Sequence, residues 1–334
     1  MRHIRKKKLL PGWLVVILDV LALGVALCVF ALFHHVLPKY GTGPIKSIVT
    51  VQEPSGSVKT ASSANPSSVS NAAAAASTGA PTAQPGDFSA AFPSEDTGTG
   101  ADYSHQSDHV RVSLKKVAVD DITYYVADVW VKNISYLRTA FANGQYGQGI
   151  TQSLMDMSKG NKAIVAISGD YYGARAKGVV VRNGQLYRDS VFEDVCVLYE
   201  DGVMQTYTKD EFQIDEAVER KAYQIWSFGP QLLRGGQPMT EFNSTVTSAN
   251  PRCAIGYYEP GHYCFVLVDG RQPGYSDGIT MEGLSKLFYD LGCKDAYNLD
   301  GGQTAMMAFG NQLVNHPFSG GRHSSDIIYI CEDA

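Results

Sequence analysis

The residues best suited to chemistry are Asp300, Gly301 and Gly302, which directly follow the apolar run 296–299. Glycine tolerates positive φ and close approach of the backbone, so a polar ligand can reach both the Asp300 carboxylate and freed N–H groups. Asp-Gly is also a common turn dipeptide. The sequence alone therefore leaves two interpretations of this carboxylate, a ligand-binding acid at a strand end and a hairpin turn.

A second carboxylate, Asp170, follows the apolar run 164–168 and Gly169, and it precedes Tyr171 and Tyr172. Sugar sites commonly combine a carboxylate with aromatic faces, so the two tyrosines are candidates for the wall of a glycan site. The alternative is a Gly-Asp turn with tyrosines in the core.

Two arginines are candidates for anion binding. Arg252 stands after Asn250-Pro251 at the start of an apolar run, and Arg271 follows the strand-end pair Asp269-Gly270. A guanidinium binds phosphate through two parallel hydrogen bonds, which makes these positions candidates for a phosphate site. A salt-bridged surface arginine is the alternative for Arg252.

Further candidates have weaker local signals. Glu282 lies in the first turn of a predicted helix, where the helix dipole alone also favours a carboxylate. His316 and His323 lie in late loops and are candidates for proton transfer, and Ser325 is a candidate for contact with sugar hydroxyls. No cysteine–histidine spacing predicts zinc, and no nucleophile-elbow, Walker or dinucleotide-binding motif is present.

The elements that must position these residues are mostly short strands with alternating or apolar patterns. Asn183-Gly184 and Asp201-Gly202 predict hairpin turns. Helices are predicted at 151–159, 210–219 and 280–291, the last with Thr280 as N-cap and Gly292 as its stop. The fold class is α+β with a sheet-rich core. The predicted strands are 110–119, 123–131, 163–168, 178–181, 185–187, 195–199, 253–258, 263–268 and 296–299.

The N-terminal region, residues 1–38, predicts a membrane anchor. A basic flank containing five Arg and Lys residues precedes a run from Trp13 to Phe33 whose only charge is Asp19. About 20 apolar residues cross a bilayer as one helix, and the positive-inside rule places the flank in the cytoplasm. The rest of the chain is then extracytoplasmic. A cleaved signal peptide is the alternative.

Residues 39–108 are rich in Ser, Ala, Thr, Pro and Gly, which predicts a disordered linker that tethers one folded domain at 109–334. After residue 39, the chain has 22 basic and 32 acidic residues. This excess of acid argues against nucleic acid as a partner, because phosphate backbones require a basic face. Five cysteines follow the anchor, and we predict that most are buried thiols. We expect Cys264 to face Tyr257 in a hairpin, which argues against a bridge to Cys253.

Seven ordered blocks resemble the phosphodiester glycosidase domain family over about residues 110–332. The resemblance implies hydrolysis of a sugar-1-phosphodiester between the anomeric carbon and the phosphate oxygen, in envelope or exopolysaccharide glycans. It implies a site built around Asp170, Arg252, Asp269 and 300–302. The blocks are 168–173, 182–187, 227–233, 251–256, 268–271, 278–282 and 298–302, the last followed by 311–315.

The chain departs from the family pattern at two places. Gln303 and Thr304 replace the usual Gly and Ser after Asp-Gly-Gly, and Cys253 replaces the usual Thr after Arg252. Thr304 keeps a hydroxyl near the place of the usual serine. Gln303 is larger than the usual glycine, so it narrows the loop and affects which sugar fits the site. We interpret Asp170 or Asp300 as nucleophile or base. A non-catalytic carbohydrate-binding module and a structural envelope protein remain the alternatives. No cofactor is required, and a divalent cation such as calcium stays open.

Overall fold

The computed structural model describes residues 11–33, 37–49, 86–94 and 100–332. The basic N-terminal tip and the centre of the predicted linker, including the small-residue tract at 71–80, lie outside the described residues.

The described chain contains four α-helices and 21 strands. The helices are α1 (Gly12–Ala31), α2 (Leu154–Gly160), α3 (Ile214–Glu219) and α4 (Met281–Asp290). The first strands are β1 (Lys39–Tyr40), β2 (Lys46–Ser47), β3 (Tyr103–Gln106), β4 (Val110–Val119), β5 (Ile122–Val131), β6 (Leu137–Phe141), β7 (Gly147–Gln148), β8 (Val165–Ser168), β9 (Val180–Arg182) and β10 (Gln185–Arg188). The others are β11 (Val195–Tyr199), β12 (Met204–Tyr207), β13 (Ala222–Trp226), β14 (Gln231–Arg234), β15 (Gln237–Pro238), β16 (Arg252–Glu259), β17 (His262–Val268), β18 (Asp295–Leu299), β19 (Met307–Phe309), β20 (Gln312–Leu313) and β21 (Asp326–Ile330).

Three larger sheets and one two-stranded ladder organise these strands. The eight-stranded sheet has the order β15-β14-β18-β16-β17-β5-β4-β3, the six-stranded sheet β12-β11-β13-β9-β10-β2, and the five-stranded sheet β20-β19-β8-β21-β6. The main apolar core contains residues from all three, because their inner faces present the buried half of each strand. The predicted sheet-rich α+β class is confirmed.

Helix α4 packs on the outer face of the eight-stranded sheet through Leu284 and Phe288, both fully buried. Thr280 caps the helix by accepting a 3.0 Å hydrogen bond from the Gly283 amide, and Gly292 takes φ 81° at its end. The predicted cap and stop are therefore confirmed. The helix predicted at 151–159 begins three residues later, at Leu154 after its Ser153 cap, and ends at Gly160, one residue beyond the predicted end.

The chain crosses from β17 through α4 into β18, and β16 lies between the two strands and runs antiparallel to both. This crossover delivers Asp300 to the end of β18. Strand β8 of the five-stranded sheet ends beside it, because the Asp300 amide donates a 3.0 Å hydrogen bond to the Gly169 carbonyl. Two strand ends from different sheets thus meet at the position of the candidate carboxylates.

The ends of the predicted linker take part in the fold. Strands β1 and β2 pair with β7 and β10, and Ile48 and Val49 are buried in the main core. Phe88 is buried there too, and β3 forms the edge of the eight-stranded sheet. The composition of residues 39–108 does not reveal these contacts, because each uses only one or two apolar residues within a polar stretch.

The hairpins at Asn183-Gly184 and Asp201-Gly202 are confirmed as β9–β10 and β11–β12. The β16–β17 hairpin differs from the expected register, because Cys264 faces Gly256 and Tyr257 faces Tyr263. A bulge between Tyr257 and Glu259 shifts the pairing by one residue.

Helix α1 is long and apolar enough to cross a bilayer, with a mean hydropathy of 2.8 and none of its residues buried.

Candidate active site

A cavity of about 670 Å³ opens where β18 and the loops around it meet, and Asp300 is one of its lining residues. Gly301 and Gly302 line it as well, and the Gly302 amide donates a 2.9 Å hydrogen bond to the Pro251 carbonyl. A Cβ at Gly301 would lie 2.6 Å from that same carbonyl oxygen. Glycine is therefore required here by close backbone approach, which brings Asp300 to the cavity wall.

The Asp300 carboxylate is almost enclosed by protein, at 6% exposure. Its Oδ2 atom has no hydrogen-bond partner among the described residues, and Nη2 of Arg322 lies 3.6 Å away. Burial raises the pKa of Asp300 to about 7, although Arg322, Thr304 and Arg175 oppose this rise. Such a carboxyl group exchanges its proton near neutral pH, which suits a general acid or base.

Four arginines line the same cavity, namely Arg175, Arg252, Arg271 and Arg322. The acidic residues that line it are the buried Asp300 and Glu193, so positive charge predominates in the cavity wall. An anion such as a phosphodiester matches this charge distribution.

Arg252 and Arg271 are held by backbone and amide oxygens. Nη2 of Arg252 donates to the carbonyls of Val246 and Ser248 at 3.0 and 2.6 Å. Nε and Nη2 of Arg271 both donate to Oδ1 of Asn250, at 3.0 and 2.9 Å. Burial, and then the neighbouring Arg271, lower the pKa of Arg252 to about 10, so the side chain is still a cation at neutral pH.

An aromatic wall stands beside the arginines. The Arg175 guanidinium lies 5.0 Å from the centre of the Phe228 ring and 5.8 Å from that of Tyr171, and Arg322 lies 5.6 Å from the Tyr171 ring. Tyr171 thus contacts cavity-lining residues, whereas Tyr172 is buried and stacks on Tyr146 with ring centres 5.4 Å apart. Of the two tyrosines predicted for the wall of the site, only Tyr171 therefore lies beside the cavity.

Asp170 lies in a buried ion cluster and not among the residues that line the cavity. Nη2 of Arg182 lies 2.9 Å from both Asp170 and Asp326. Oδ1 of Asp170, which pairs with Arg182, also accepts a hydrogen bond from the Tyr172 amide, and Oδ2 accepts one from the Ser227 amide, each at 3.0 Å. Because Ser227 precedes Phe228, Asp170 fixes the backbone that carries the aromatic wall.

Asp269 is likewise fully engaged. Its Oδ1 accepts from Asn315 Nδ2 at 2.7 Å, and its Oδ2 accepts from the Tyr275 hydroxyl and the His316 amide at 2.9 and 3.0 Å. It holds the loop at 315–316, and the His316 side chain is exposed outside the cavity.

The other predicted residues divide into two groups. Gln303 lines the cavity and donates to the Gly321 carbonyl at 3.1 Å, and Thr304 is buried and is not among the lining residues. Glu282 and His323 are exposed and Ser325 is buried, and none of these three lines the cavity.

Several cavity residues were not singled out from the sequence: Arg175, Glu193, Phe228, Asn298 and Arg322. Phe228 and Asn298 lie inside two of the blocks that resemble the family, so the resemblance could have identified them. Arg175 and Arg322 come from loops and have no periodic pattern that could have marked them. Among the described residues, no group of three or more His, Cys, Asp or Glu could hold a metal ion.

The profile of the phosphodiester glycosidase (NAGPA) family matches residues 161–331, which include Asp300, all four arginines and the aromatic wall. The chain belongs to this family.

One curated relative is the SPbeta prophage-derived uncharacterized protein YomE of Bacillus subtilis (strain 168), 29% identical over 231 residues. That match covers 62% of this chain and 36% of the relative, so the chain spans about a third of its length. The fold is similar to the zebrafish N-acetylglucosamine-1-phosphodiester alpha-N-acetylglucosaminidase catalytic domain auto-inhibited by pro-peptide, with a TM-score of 0.56 and 19% identity over 70% of this chain and 86% of that one. A hypothetical protein from Synechocystis gives 0.54 and 15% over 69% and 64% of the respective chains.

Proposed function

We propose that this chain hydrolyses sugar-1-phosphodiesters by breaking the bond between the anomeric carbon and the phosphate oxygen. The observation that supports this most strongly is the cavity itself, whose lining combines the buried carboxylate of Asp300 with four arginines. Family membership supports the reaction class, and the name of the zebrafish enzyme states a phosphodiester of a sugar.

We propose that the arginine guanidiniums bind the phosphate group of the substrate. The departing group is a phosphate monoester, whose second pKa is about 6, so it needs little protonation as it leaves. Arg252 and Arg271 are held in place by carbonyl and amide oxygens, which fixes the direction of each guanidinium. Prealigned positive charge of this kind stabilises the charge that develops on the leaving oxygen, by about 3 kcal/mol for each donor.

We assign Asp300 to the sugar side of the scissile bond. Its ionised form either attacks the anomeric carbon or removes a proton from the attacking water. In the overall reaction water supplies a hydroxyl to the anomeric carbon and a proton to the phosphate product. A retained anomeric configuration in the first product would assign Asp300 as nucleophile, and an inverted one would assign it as base.

Asp170 and Asp269 are positioning residues in this scheme. Asp170 holds the amide of Ser227, next to Phe228, and Asp269 holds the loop at 315–316. We place no proton transfer on either, because their oxygens are occupied by neighbouring donors. Tyr171 and Phe228 provide the apolar surface on which a sugar ring packs.

We further propose that α1 anchors the enzyme in the cell membrane with the catalytic domain outside the cytoplasm, in an envelope or exopolysaccharide context. Strand β1 begins at Lys39, eight residues after the end of α1. Eight extended residues span at most about 28 Å, so the domain lies close to the membrane surface. Gln148, which pairs with Lys39, donates to the carbonyl of the cavity residue Arg175 at 2.8 Å. This contact connects β1, the strand that follows α1, to a residue that lines the cavity.

The test is a product analysis with the full chain in detergent and a panel of methyl esters of hexose-1-phosphates and N-acetylhexosamine-1-phosphates. Release of free sugar and methyl phosphate in equal amounts is expected. Binding of the panel without any release would favour the carbohydrate-binding alternative, and neither binding nor release would remove the proposed substrate class.

A further inference from the structure

Two cysteine sulfur atoms lie 3.6 Å apart between the eight-stranded sheet and α4. Cys264 lies on β17, and Cys293 follows the end of α4 just before β18. Both are buried and neither lines the catalytic cavity, so the proposed reaction does not use them.

The space around the two sulfurs is created by a glycine. Gly256 on β16 pairs with Cys264 on one side and with Ala296 on the other. A Cβ at Gly256 would lie 2.7 Å from the Cys264 sulfur and 2.8 Å from the Cys293 sulfur. Glycine weakens the interior of a strand, so its presence here is explained by the room that the sulfur pair requires.

We propose that Cys264 and Cys293 form a disulfide bond when the chain folds in oxidising surroundings. A disulfide has an S–S distance of about 2.05 Å, so the sulfurs must approach by roughly 1.5 Å. The oxidising surroundings follow from the proposed extracytoplasmic location. The disulfide does not depend on the proposed catalytic activity.

The oxidant is a disulfide donor such as oxidised glutathione or a dithiol–disulfide oxidoreductase. One cysteine thiolate attacks the donor and forms a mixed disulfide, and the second thiolate then displaces the remaining donor thiol. One S–S bond forms in the protein, the donor disulfide breaks, and two electrons and the two thiol protons end on the donor as two thiols. Burial raises the pKa of Cys264 well above its ordinary value, so the exchange takes place before α4 covers the pair.

The bond would fasten the end of α4 to the sheet immediately before β18, the strand that ends at Asp300. Three other cysteines of the described domain, Cys196, Cys253 and Cys331, are buried elsewhere. They provide internal controls, because each should react as a free thiol once the chain is denatured.

The test uses the full chain folded in a mixture of reduced and oxidised glutathione, then denatured and alkylated with N-ethylmaleimide. Peptide mass spectrometry should find the peptides of Cys264 and Cys293 joined and alkylated only after reduction, with Cys196, Cys253 and Cys331 alkylated without it. Alkylation of Cys264 and Cys293 before reduction would overturn the proposal, as would linkage of either to another cysteine.

A second measurement compares melting temperatures with and without reductant. Reduction should lower the value of the wild-type chain by roughly 5–10 °C. It should leave that of the Cys264→Ala/Cys293→Ala variant unchanged. A wild-type melting temperature insensitive to reductant would contradict the bond, and the peptide map decides the matter if the variant does not fold.

Discussion

Nη2 of Arg322 lies 3.6 Å from Oδ2 of Asp300, and Nε and Nη2 of the same guanidinium donate to the Thr304 hydroxyl at 3.1 and 2.6 Å. Thr304 therefore holds the cation that opposes the effect of burial on Asp300. Thr304 stands where the family usually has serine, and it keeps the hydroxyl that orients Arg322.

The pH profile should report the pKa of Asp300. Because the ionised form acts on the sugar, kcat/KM should rise with pH through about 7 and then level off. Arg322→Gln should move the midpoint upward by about 1 unit, since it removes a nearby cation. Arg234→Gln, which breaks an exposed pair with Glu211, is the control and should leave the profile in place. A rate that falls through pH 7 would assign Asp300 as an acid instead.

Asp300→Asn should abolish activity and stabilise the fold. Because burial raises the folded-state pKa from 3.8 to about 7, ionisation lowers the free energy of unfolding progressively over that interval. We expect the variant to lose at least about 1,000-fold in kcat. It should gain about 1–3 kcal/mol in unfolding free energy at pH 8 and little at pH 4, measured by urea denaturation. Asp290→Asn, at an exposed pair with Lys286, is the control. Lower stability at pH 8 would refute the buried-charge interpretation.

Arg182→Met should destabilise the fold by about 3–5 kcal/mol, because it leaves Asp170 and Asp326 buried without their cation. Part of the loss should be recovered on acidification, because burial raises the pKa of Asp326 to about 6 and its protonation removes one of the buried charges. Urea denaturation at two pH values measures both effects. Arg220→Met removes an exposed pair with Asp201 and should cost less than about 1 kcal/mol. Equal costs for the two variants would show that the ion cluster is not structural.

Arg271→Ala should weaken substrate binding and also slow turnover, because the guanidinium contacts the phosphate in the substrate and stabilises the charge on the leaving oxygen. Arg271 is exposed at the cavity and fixed by Asn250, so its loss removes a charged contact with phosphate without opening the core. A charge-assisted hydrogen bond contributes about 1.5–3 kcal/mol, which corresponds to a rise in KM of about 10–100-fold. Steady-state kinetics with a methyl phosphodiester measures this, with Arg234→Ala as the matched arginine control. An unchanged KM would show that Arg271 does not bind the phosphate group.

The domain boundary can be tested by truncation. A chain that begins at residue 39 keeps β1, β2 and the buried Ile48 and Val49, so it should be free of the membrane and fold with the wild-type melting temperature. A chain that begins at residue 109 loses these contacts, Phe88 and β3, and should melt at least about 10 °C lower. Equal melting temperatures would show that residues 39–108 do not stabilise the folded domain and act only as a linker.

The local elements could be predicted because their signals are local. Hairpins at Asn183-Gly184 and Asp201-Gly202 and the capped helix after Thr280 follow from turn and capping residues. The sequence also marks the strand end at Asp300. Its partners come from loops far away in the chain, and neither periodicity nor composition encodes which guanidinium a carboxylate meets. Asp170 and Asp300 have the same local pattern, and only the tertiary contact with Arg182 separates them.

The most direct test of the central claim is hydrolysis of a methyl sugar-1-phosphodiester by the full chain in water enriched in oxygen-18. Cleavage between the anomeric carbon and oxygen places the label on the sugar, so mass spectrometry should find methyl phosphate without label. The anomeric hydroxyl itself exchanges with water, which makes the phosphate product the informative one. Methyl phosphate that contains one labelled oxygen would show attack at phosphorus and would contradict the assignment of Asp300 to the sugar side.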